Sequence, residues 1–197
     1  MARPKGTTRA KKPIMKREFE RLLRSIDSSL DVQASTKIKF ICAFTLLYLT
    51  GCRISEIINF TTHDLQKMID ENEYSLTNAT KTKATRLISF DSNKVQVQLL
   101  KKILPEKERY LFCKNNSTQA MSVASLKFMT NKFIHKTLGE LYSTHSFRAG
   151  YITVAHKIGL SLEHIRQDIG HKSIATTARY ATVTSDEIAQ SKNMIAW

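Results

Sequence analysis

The feature that most constrains the fold is the run Phe40–Leu49 (FICAFTLLYL), which is apolar except for Thr45. A helix that is apolar on nearly every side has to be covered by other elements on every side. The run is too short to span a bilayer. Ser35 or Thr36 can cap the start of such a helix, and Gly51 can end it. The sequence therefore predicts a buried central helix that ends just before the glycine.

Helical spacing dominates the rest of the chain. In the first such segment, Phe19, Leu22, Leu23 and Ile26 recur at helical intervals between charged residues. Helices are predicted from Met15 and over Arg53–Phe60, Asp64–Ile69, Lys94–Ile103, Val123–Leu138, His145–Ile158, Leu162–Asp168 and Thr176–Tyr180, with a tail helix from Ser185. Short apolar segments predict strands at Tyr74–Leu76, Arg86–Phe90 and, as a third, Tyr110–Phe112. The predicted fold is mainly α with one small antiparallel β-sheet.

The charge balance points to a polyanionic partner. The 197 residues include 31 Lys and Arg against 17 Asp and Glu, a net charge of +14. Nucleic acid is the more common partner of such a chain, and an acidic membrane surface is the less common one. Composition alone also permits a basic solvated face with neither partner.

Residues 1–13 are basic and contain no acid. Their cations are Arg3, Lys5, Arg9, Lys11 and Lys12. A segment of this composition cannot bury enough apolar surface to fold alone. We expect a flexible arm over residues 1–13 that follows the phosphates of a nucleic acid, and a folded domain over residues 14–197. The alternative is a tail that only keeps the chain soluble.

The spacing of the cysteines indicates the redox environment in which the chain works. Cys42, Cys52 and Cys113 are widely spaced and include no C-x-x-C pair, which argues against a disulfide framework and against a zinc site. The first thirteen residues lack the apolar stretch of a signal peptide. We expect two of the three to be core thiols in apolar surroundings, and a reducing, cytoplasmic location.

The segment Thr50–Glu56 (TGCRISE) follows the predicted central helix. A break at Gly51 turns Arg53 outward, and its planar guanidinium is suited to paired hydrogen bonds with a phosphate. Glu56 lies three residues later on the same helical face and can hold Arg53 in place. Taken alone, the pair could equally be an ordinary helical ion pair.

A second group of polar residues begins at Thr144 (THSFR). Ser143 or Thr144 can cap a helix whose first turn carries His145 and Arg148 on one face, while a stripe of Phe147, Tyr151, Ala155 and Ile158 faces the core. The positive end of a helix dipole disfavours cations, so two of them in this turn indicate an anionic ligand.

The chain also contains Gly170-His171 and, nine residues later, Tyr180. Either residue alone is weak evidence for a functional site, since a single His or Tyr is usually structural. Together, T-G-C-R-I-S-E, H-S-F-R, G-H and Y resemble the phage integrase (tyrosine recombinase) family in order and in spacing, with His171 following Arg148 by 23 residues. The resemblance covers roughly residues 15–185 and implies the fold of a tyrosine recombinase catalytic domain.

The resemblance also implies a chemistry and a set of partners. Catalytic roles fall on Arg53, His145, Arg148, His171 and Tyr180, and Glu56 has a supporting role. A lysine on the turn between two strands acts as general acid: Lys81, with Arg86 five residues on, or alternatively Lys83. The implied activity is site-specific recombination of double-stranded DNA through a 3′-phosphotyrosyl intermediate, with no metal and no other cofactor. The implied assembly is a homotetramer on DNA at the nucleoid, with an accessory DNA-binding protein as a further possible partner and no membrane.

The sequence departs from the family in two places. Ala149 stands where many members carry His after the second arginine. About fourteen residues precede the first predicted helix, where the family usually has a DNA-clamping domain, so we expect a short subclass without that domain. Two other functions stay open at this point: a type IB topoisomerase that only relaxes DNA, and a DNA-binding regulator with an idle site.

Overall fold

The computed structural model describes residues 11–76, 85–89, 91, 93–104, 109–114, 117 and 119–180. Two compact units divide the chain, Met1–Tyr151 and Ile152–Trp197. The elements in chain order are α1 (Lys16–Ser28), α2 (Ala34–Thr50), α3 (Ile54–Ile57), α4 (Thr62–Glu71), β1 (Glu73–Leu76), β2 (Arg86–Ser89), α5 (Val95–Ile103), α6 (Val123–Leu138), α7 (Thr144–Lys157), α8 (Leu162–Ile169) and α9 (Ile174–Ala178). The predicted fold class, mainly helical with a small antiparallel sheet, is confirmed.

Helix α2 is the buried centre of the first unit, as its apolar run predicts. Its residues from Cys42 to Leu47 are all buried, and α1, α3 and α5 pack against it. The predicted caps Ser35 and Thr36 are wrong, because the helix begins at Ala34 after Gln33 and both residues lie in its first turn. Gly51 ends the helix in the left-handed conformation, with φ of 61°.

Aromatic rings connect α2 to α6 and α7. Phe44 stacks on Phe147 of α7 with ring centroids 5.5 Å apart, and Phe40 meets Phe133 of α6 at 4.8 Å. Burial of each large apolar side chain stabilises the fold by about 1.5–3 kcal/mol relative to exposure. This packing fixes the first turns of α7 against the centre of the unit.

The sheet has two strands in the described residues. β1 and β2 are antiparallel, with Tyr74 opposite Ile88 and Leu76 opposite Arg86. In β2, Arg86 and Ile88 are buried while Leu87 is 52% exposed. The predicted third strand, Tyr110–Phe112, is wrong as a strand of this sheet. Its surroundings form isolated bridges instead, between Thr61 and Tyr110 and between Cys113 and Ala120.

The segment Lys12–Ile14 is anchored beside α7. Lys12 N–H donates to Leu141 O at 3.0 Å, and Ile14 N–H donates to Ser146 O at 2.9 Å. Ile14 is fully buried. Its carbonyl oxygen lies so close to Gly150 that a Cβ on this residue would be far inside van der Waals contact. Residues 11–13 were predicted to belong to the flexible arm. In the structure, Lys12 is hydrogen-bonded to the folded unit.

The second unit contains α8 and α9. Ser161 and Ser173 cap them through their side-chain oxygens. The predicted helix Thr176–Tyr180 is shifted, because the cap at Ser173 starts it at Ile174 and it ends at Ala178. Ile158 was predicted to be buried but is 73% exposed, since α7 ends at Lys157 before it. The predicted tail helix from Ser185 lies outside the described residues.

Cys42, Cys52 and Cys113 are all free and buried, one more buried thiol than the sequence predicted. Within the described ranges, no helix is both long enough and apolar enough to cross a membrane.

The contact between Ile14 and Gly150 gives a test of the fold. Gly150→Ala places a methyl group against the Ile14 carbonyl, so we expect the free energy of unfolding to fall by about 1–3 kcal/mol in urea denaturation. Val154→Ala, at an exposed position of the same helix, should change that free energy by no more than about 0.5 kcal/mol. Equal midpoints for Gly150→Ala and the parent chain would contradict the close approach.

Candidate functional site

Arg53 and Glu56 form an ion pair at the turn after α2. Arg53 Nη1 donates to Glu56 Oε1 at 2.8 Å, and the backbone N–H of Arg53 donates to Glu56 Oε2 at 2.6 Å. The carboxylate side chain is 1% exposed, whereas the Arg53 side chain is 33% exposed. One buried carboxylate therefore holds both the backbone and the side chain of a cation that still reaches the surface.

Arg148 reaches the same turn from α7. Its Nη1 donates to Gly51 O at 2.9 Å, and the residue is 5% exposed. Burial and, to a lesser degree, the cation Arg53 lower the pKa of Arg148 to about 10, and Glu56 opposes the shift. Arg148 still carries its charge at neutral pH. Two arginines that are far apart in sequence thus meet at one short turn.

A third arginine, Arg86 of β2, belongs to the same cluster and was missed as a site residue by the sequence reasoning. Its Nη2 lies 3.5 Å from Glu56 Oε2 and 2.8 Å from Cys52 Sγ. Arg86 shares its face of the strand with Ile88, a core residue, but Leu87 lies on the other face, so alternation alone did not decide which face is buried. A charged residue on a core-facing position indicates a buried ion pair.

His145 lies in the first turn of α7, as predicted, and its side chain is exposed. The Ser143 hydroxyl has no partner among the described residues, so Ser143 does not cap the helix with its side chain, and Thr144 N–H donates to Asn131 Oδ1 of α6 at 2.9 Å. Partial desolvation lowers the pKa of His145, and the cations Lys127, Arg148 and Arg53 lower it further. The imidazole is therefore mostly neutral at physiological pH and can accept a proton.

In the second unit, His171 and Tyr180 lie near each other. Gly170 ends α8 with φ of 64°, which turns the chain into His171. His171 Nδ1 is 3.0 Å from Thr177 Oγ1, and Arg166 Nη1 donates to the His171 carbonyl at 2.9 Å. The rings of His171 and Tyr180 have centroids 6.5 Å apart.

Tyr180 follows the end of α9 and keeps an accessible ring. Its N–H donates to Thr177 O at 3.0 Å, and Thr153 Oγ1 donates to its carbonyl at 3.3 Å. The residue is 37% exposed. The backbone is therefore held on both sides while the phenol stays open to a ligand.

The structure brings together Arg53, Glu56, His145 and Arg148 in the first unit, and His171 with Tyr180 in the second. Lys81 and its alternative Lys83 lie outside the described residues, as do Arg3, Lys5 and Arg9 of the arm. Lys11 Nζ donates to Glu140 O at 2.8 Å. Phosphate binding by the arm stays a prediction, which the salt dependence of DNA affinity would measure.

The electrostatics of His145 can be tested in solution. We expect its ring C2–H resonance, assigned by its loss in His145→Asn, to titrate below the ordinary value of 6.5. Arg53→Ala removes a nearby cation and should raise the midpoint, because protonation of the ring then meets less repulsion. Lys132→Ala, which removes an exposed cation of the same helix as Lys127, should leave it unchanged. A midpoint above 6.5 in the parent chain, or a fall in Arg53→Ala, would contradict this electrostatic account.

Comparison with known proteins identifies the fold and the family. Residues 12–187 match the model of the phage integrase family. Tyrosine recombinase XerC of Treponema denticola is 24% identical over 163 residues, which cover 74% of this chain and 52% of that protein. XerC of Staphylococcus carnosus is 26% identical over 149 residues, which cover 73% and 49%. This chain spans about half the length of these curated relatives.

A solved structure agrees with this fold. The Tn1549 transposon integrase, in complex with a circular intermediate DNA, superposes with a TM-score of 0.72 at 19% identity and covers 98% of this chain and 68% of that one. With the family model matching most of its length, the chain belongs to the phage integrase family, and its fold is that of a tyrosine recombinase catalytic domain.

Proposed function

We propose that this chain is a site-specific DNA recombinase that cleaves and rejoins strands through a 3′-phosphotyrosyl intermediate. The observation that carries the proposal is the convergence of Arg53 and Arg148 on the turn Gly51–Glu56. The two arginines belong to the motifs T-G-C-R-I-S-E and H-S-F-R, on which the resemblance to the family rests. A pair of fixed cations beside a surface is suited to a phosphodiester, whose charge grows in the transition state.

The two arginines neutralise the non-bridging oxygens. Arg53, partly exposed and held by Glu56, binds one of them directly, while Arg148, held by the Gly51 carbonyl, adds charge from the buried side. Pre-positioned cations of this kind lower the barrier because they need no reorganisation during the reaction.

Tyr180 is the nucleophile in this proposal. Its phenolic oxygen forms a bond to phosphorus, the P–O5′ bond breaks, and the 5′ oxygen leaves as a hydroxyl. The phenol ordinarily titrates near pH 10, so it needs a base. Neutral His145 accepts the phenolic proton, and His171 hydrogen-bonds the phosphoryl group. Lys81 supplies the proton that the leaving oxygen takes up, and religation reverses these steps without ATP.

Double-stranded DNA is the proposed substrate. The net charge of +14 supports a polyanion, and the relatives with the same fold include an integrase solved with DNA. A homotetramer on DNA, an accessory DNA-binding protein and a nucleoid-associated, cytoplasmic location complete the proposal, because recombination joins two duplexes that each carry paired sites.

The nucleophile is tested with a nicked suicide substrate that traps the covalent complex. Tyr180→Phe should form no adduct, because it lacks the attacking oxygen, and should keep its affinity for DNA in gel shifts. Tyr110→Phe is the matched control, since Tyr110 is 36% exposed against 37% for Tyr180, and it should form the adduct normally. An adduct with Tyr180→Phe would overturn the assignment.

The same assay distinguishes a recombinase from the two alternative functions. A type IB topoisomerase would form the adduct and change the linking number without giving recombinant joints. A regulator with an idle site would bind DNA and form no adduct in the parent chain.

The general acid is tested by changing the leaving group. Lys81→Ala should cleave ordinary DNA slowly but recover on a 5′-bridging phosphorothioate, because a thiolate leaves without a proton. Lys83→Ala is the matched control and should be close to the parent chain on both substrates. Recovery of Lys83→Ala instead would exchange the roles of the two lysines.

A further inference from the structure

We propose that Arg86 is a positioning residue that holds Glu56, and through it Arg53, for the phosphate. This inference rests on the proposed function. The contacts that carry it are the 3.5 Å ion pair of Arg86 Nη2 with Glu56 Oε2 and the 2.8 Å pair of Arg53 Nη1 with Glu56 Oε1. The two arginines share one carboxylate, with a different oxygen facing each guanidinium.

The environment of Arg86 is unusual for a residue that serves only the fold. Its side chain is 5% exposed, and its Nε and Nη1 have no hydrogen-bond partner among the described residues. Its other neighbour is the Cys52 thiol, which stays protonated because burial raises its pKa to about 11. Replacing a whole buried ion pair by apolar side chains is often neutral or stabilising, whereas removing one partner leaves a buried charge behind. The fold does not require this pair as such, so Arg86 has to be explained together with Glu56.

The charge of the Glu56 carboxylate accounts for the arginine at this position. Arg53, Arg86 and Arg148 surround one carboxylate, Glu56, so the described part of the cluster has an excess of positive charge. The Glu56 side chain is 1% exposed and cannot turn to water for solvation. Arg86 holds Oε2 from the side of the sheet, which leaves Oε1 directed at the Arg53 side chain. Arg53 is then fixed while a third of it remains exposed to a ligand.

Arg86 does not need to touch DNA in this arrangement. It acts on the ligand through Glu56 and Arg53, and its loss should loosen Arg53 rather than remove a phosphate contact. Loss of a group that orients a catalytic side chain commonly lowers rates by about 10- to 100-fold. We therefore expect Arg86→Met to fold with a lower Tm, because Glu56 loses a buried partner, to bind DNA as the parent does, and to form the covalent adduct about 10- to 100-fold more slowly.

The test measures single-turnover adduct formation with two scissile phosphates, an ordinary diester and one with a methyl group in place of a non-bridging oxygen. The neutral methylphosphonate depends less on cations, so Arg86→Met should lose less rate on it than on the ordinary diester. Arg86→Lys keeps the charge and should recover part of the rate. Arg24→Met, at an exposed arginine of α1, is the matched control and should behave as the parent.

Glu56→Gln provides the second measurement. If Arg86 acts through Glu56, the double variant Arg86→Met/Glu56→Gln should be no slower than the slower single variant, because both changes break one chain of contacts. An equal loss on both substrates, no recovery of rate in Arg86→Lys, or additive losses in the double variant would overturn the inference. Failure of the parent chain to form any Tyr180-dependent adduct would instead overturn the proposed function.

Discussion

The buried carboxylate of Glu56 is the interaction on which the arrangement of the cations depends. It accepts hydrogen bonds from the backbone and the side chain of Arg53 and faces Arg86 from the sheet. Without it, three guanidinium groups would repel one another around a single turn. Breaking such a pair by removing one buried partner is strongly destabilising, because an uncompensated charge stays behind. The carboxylate therefore stabilises the local fold and also sets where positive charge reaches the surface.

The positions of Arg148 and His145 depend on where α7 begins. Phe147 packs on Phe44, and the segment Lys12–Ile14 runs beside the start of the helix, so its first turns are held from two directions. Arg148 points inward to the Gly51 carbonyl, while partial desolvation and the neighbouring cations lower the pKa of His145. The neutral imidazole adds no charge to the cluster until it accepts a proton, and that protonation meets repulsion from the guanidinium groups.

Much of this could be predicted from the sequence, because it follows from local patterns. The apolar run identified α2, the glycine identified its end, and the i, i+3 spacing identified the pair Arg53–Glu56. The positions of Arg86 and Ile158 could not be derived in this way. Arg86 is buried through a tertiary ion pair, and Ile158 is exposed because α7 ends one residue earlier. Alternation in β2 alone does not decide which face carries the core.

In the function that we propose, a phosphate held by the arginines of the first unit is attacked by Tyr180. The most direct measurement is tandem mass spectrometry of the trapped protein–DNA complex after digestion with nuclease and trypsin. Arg179 precedes Tyr180, so the modified tyrosine begins its own tryptic peptide. The account predicts a nucleotide mass on Tyr180 in the parent chain and much less of it when Arg53 is replaced by Ala. A nucleotide on any other residue, or the same yield without Arg53, would contradict it.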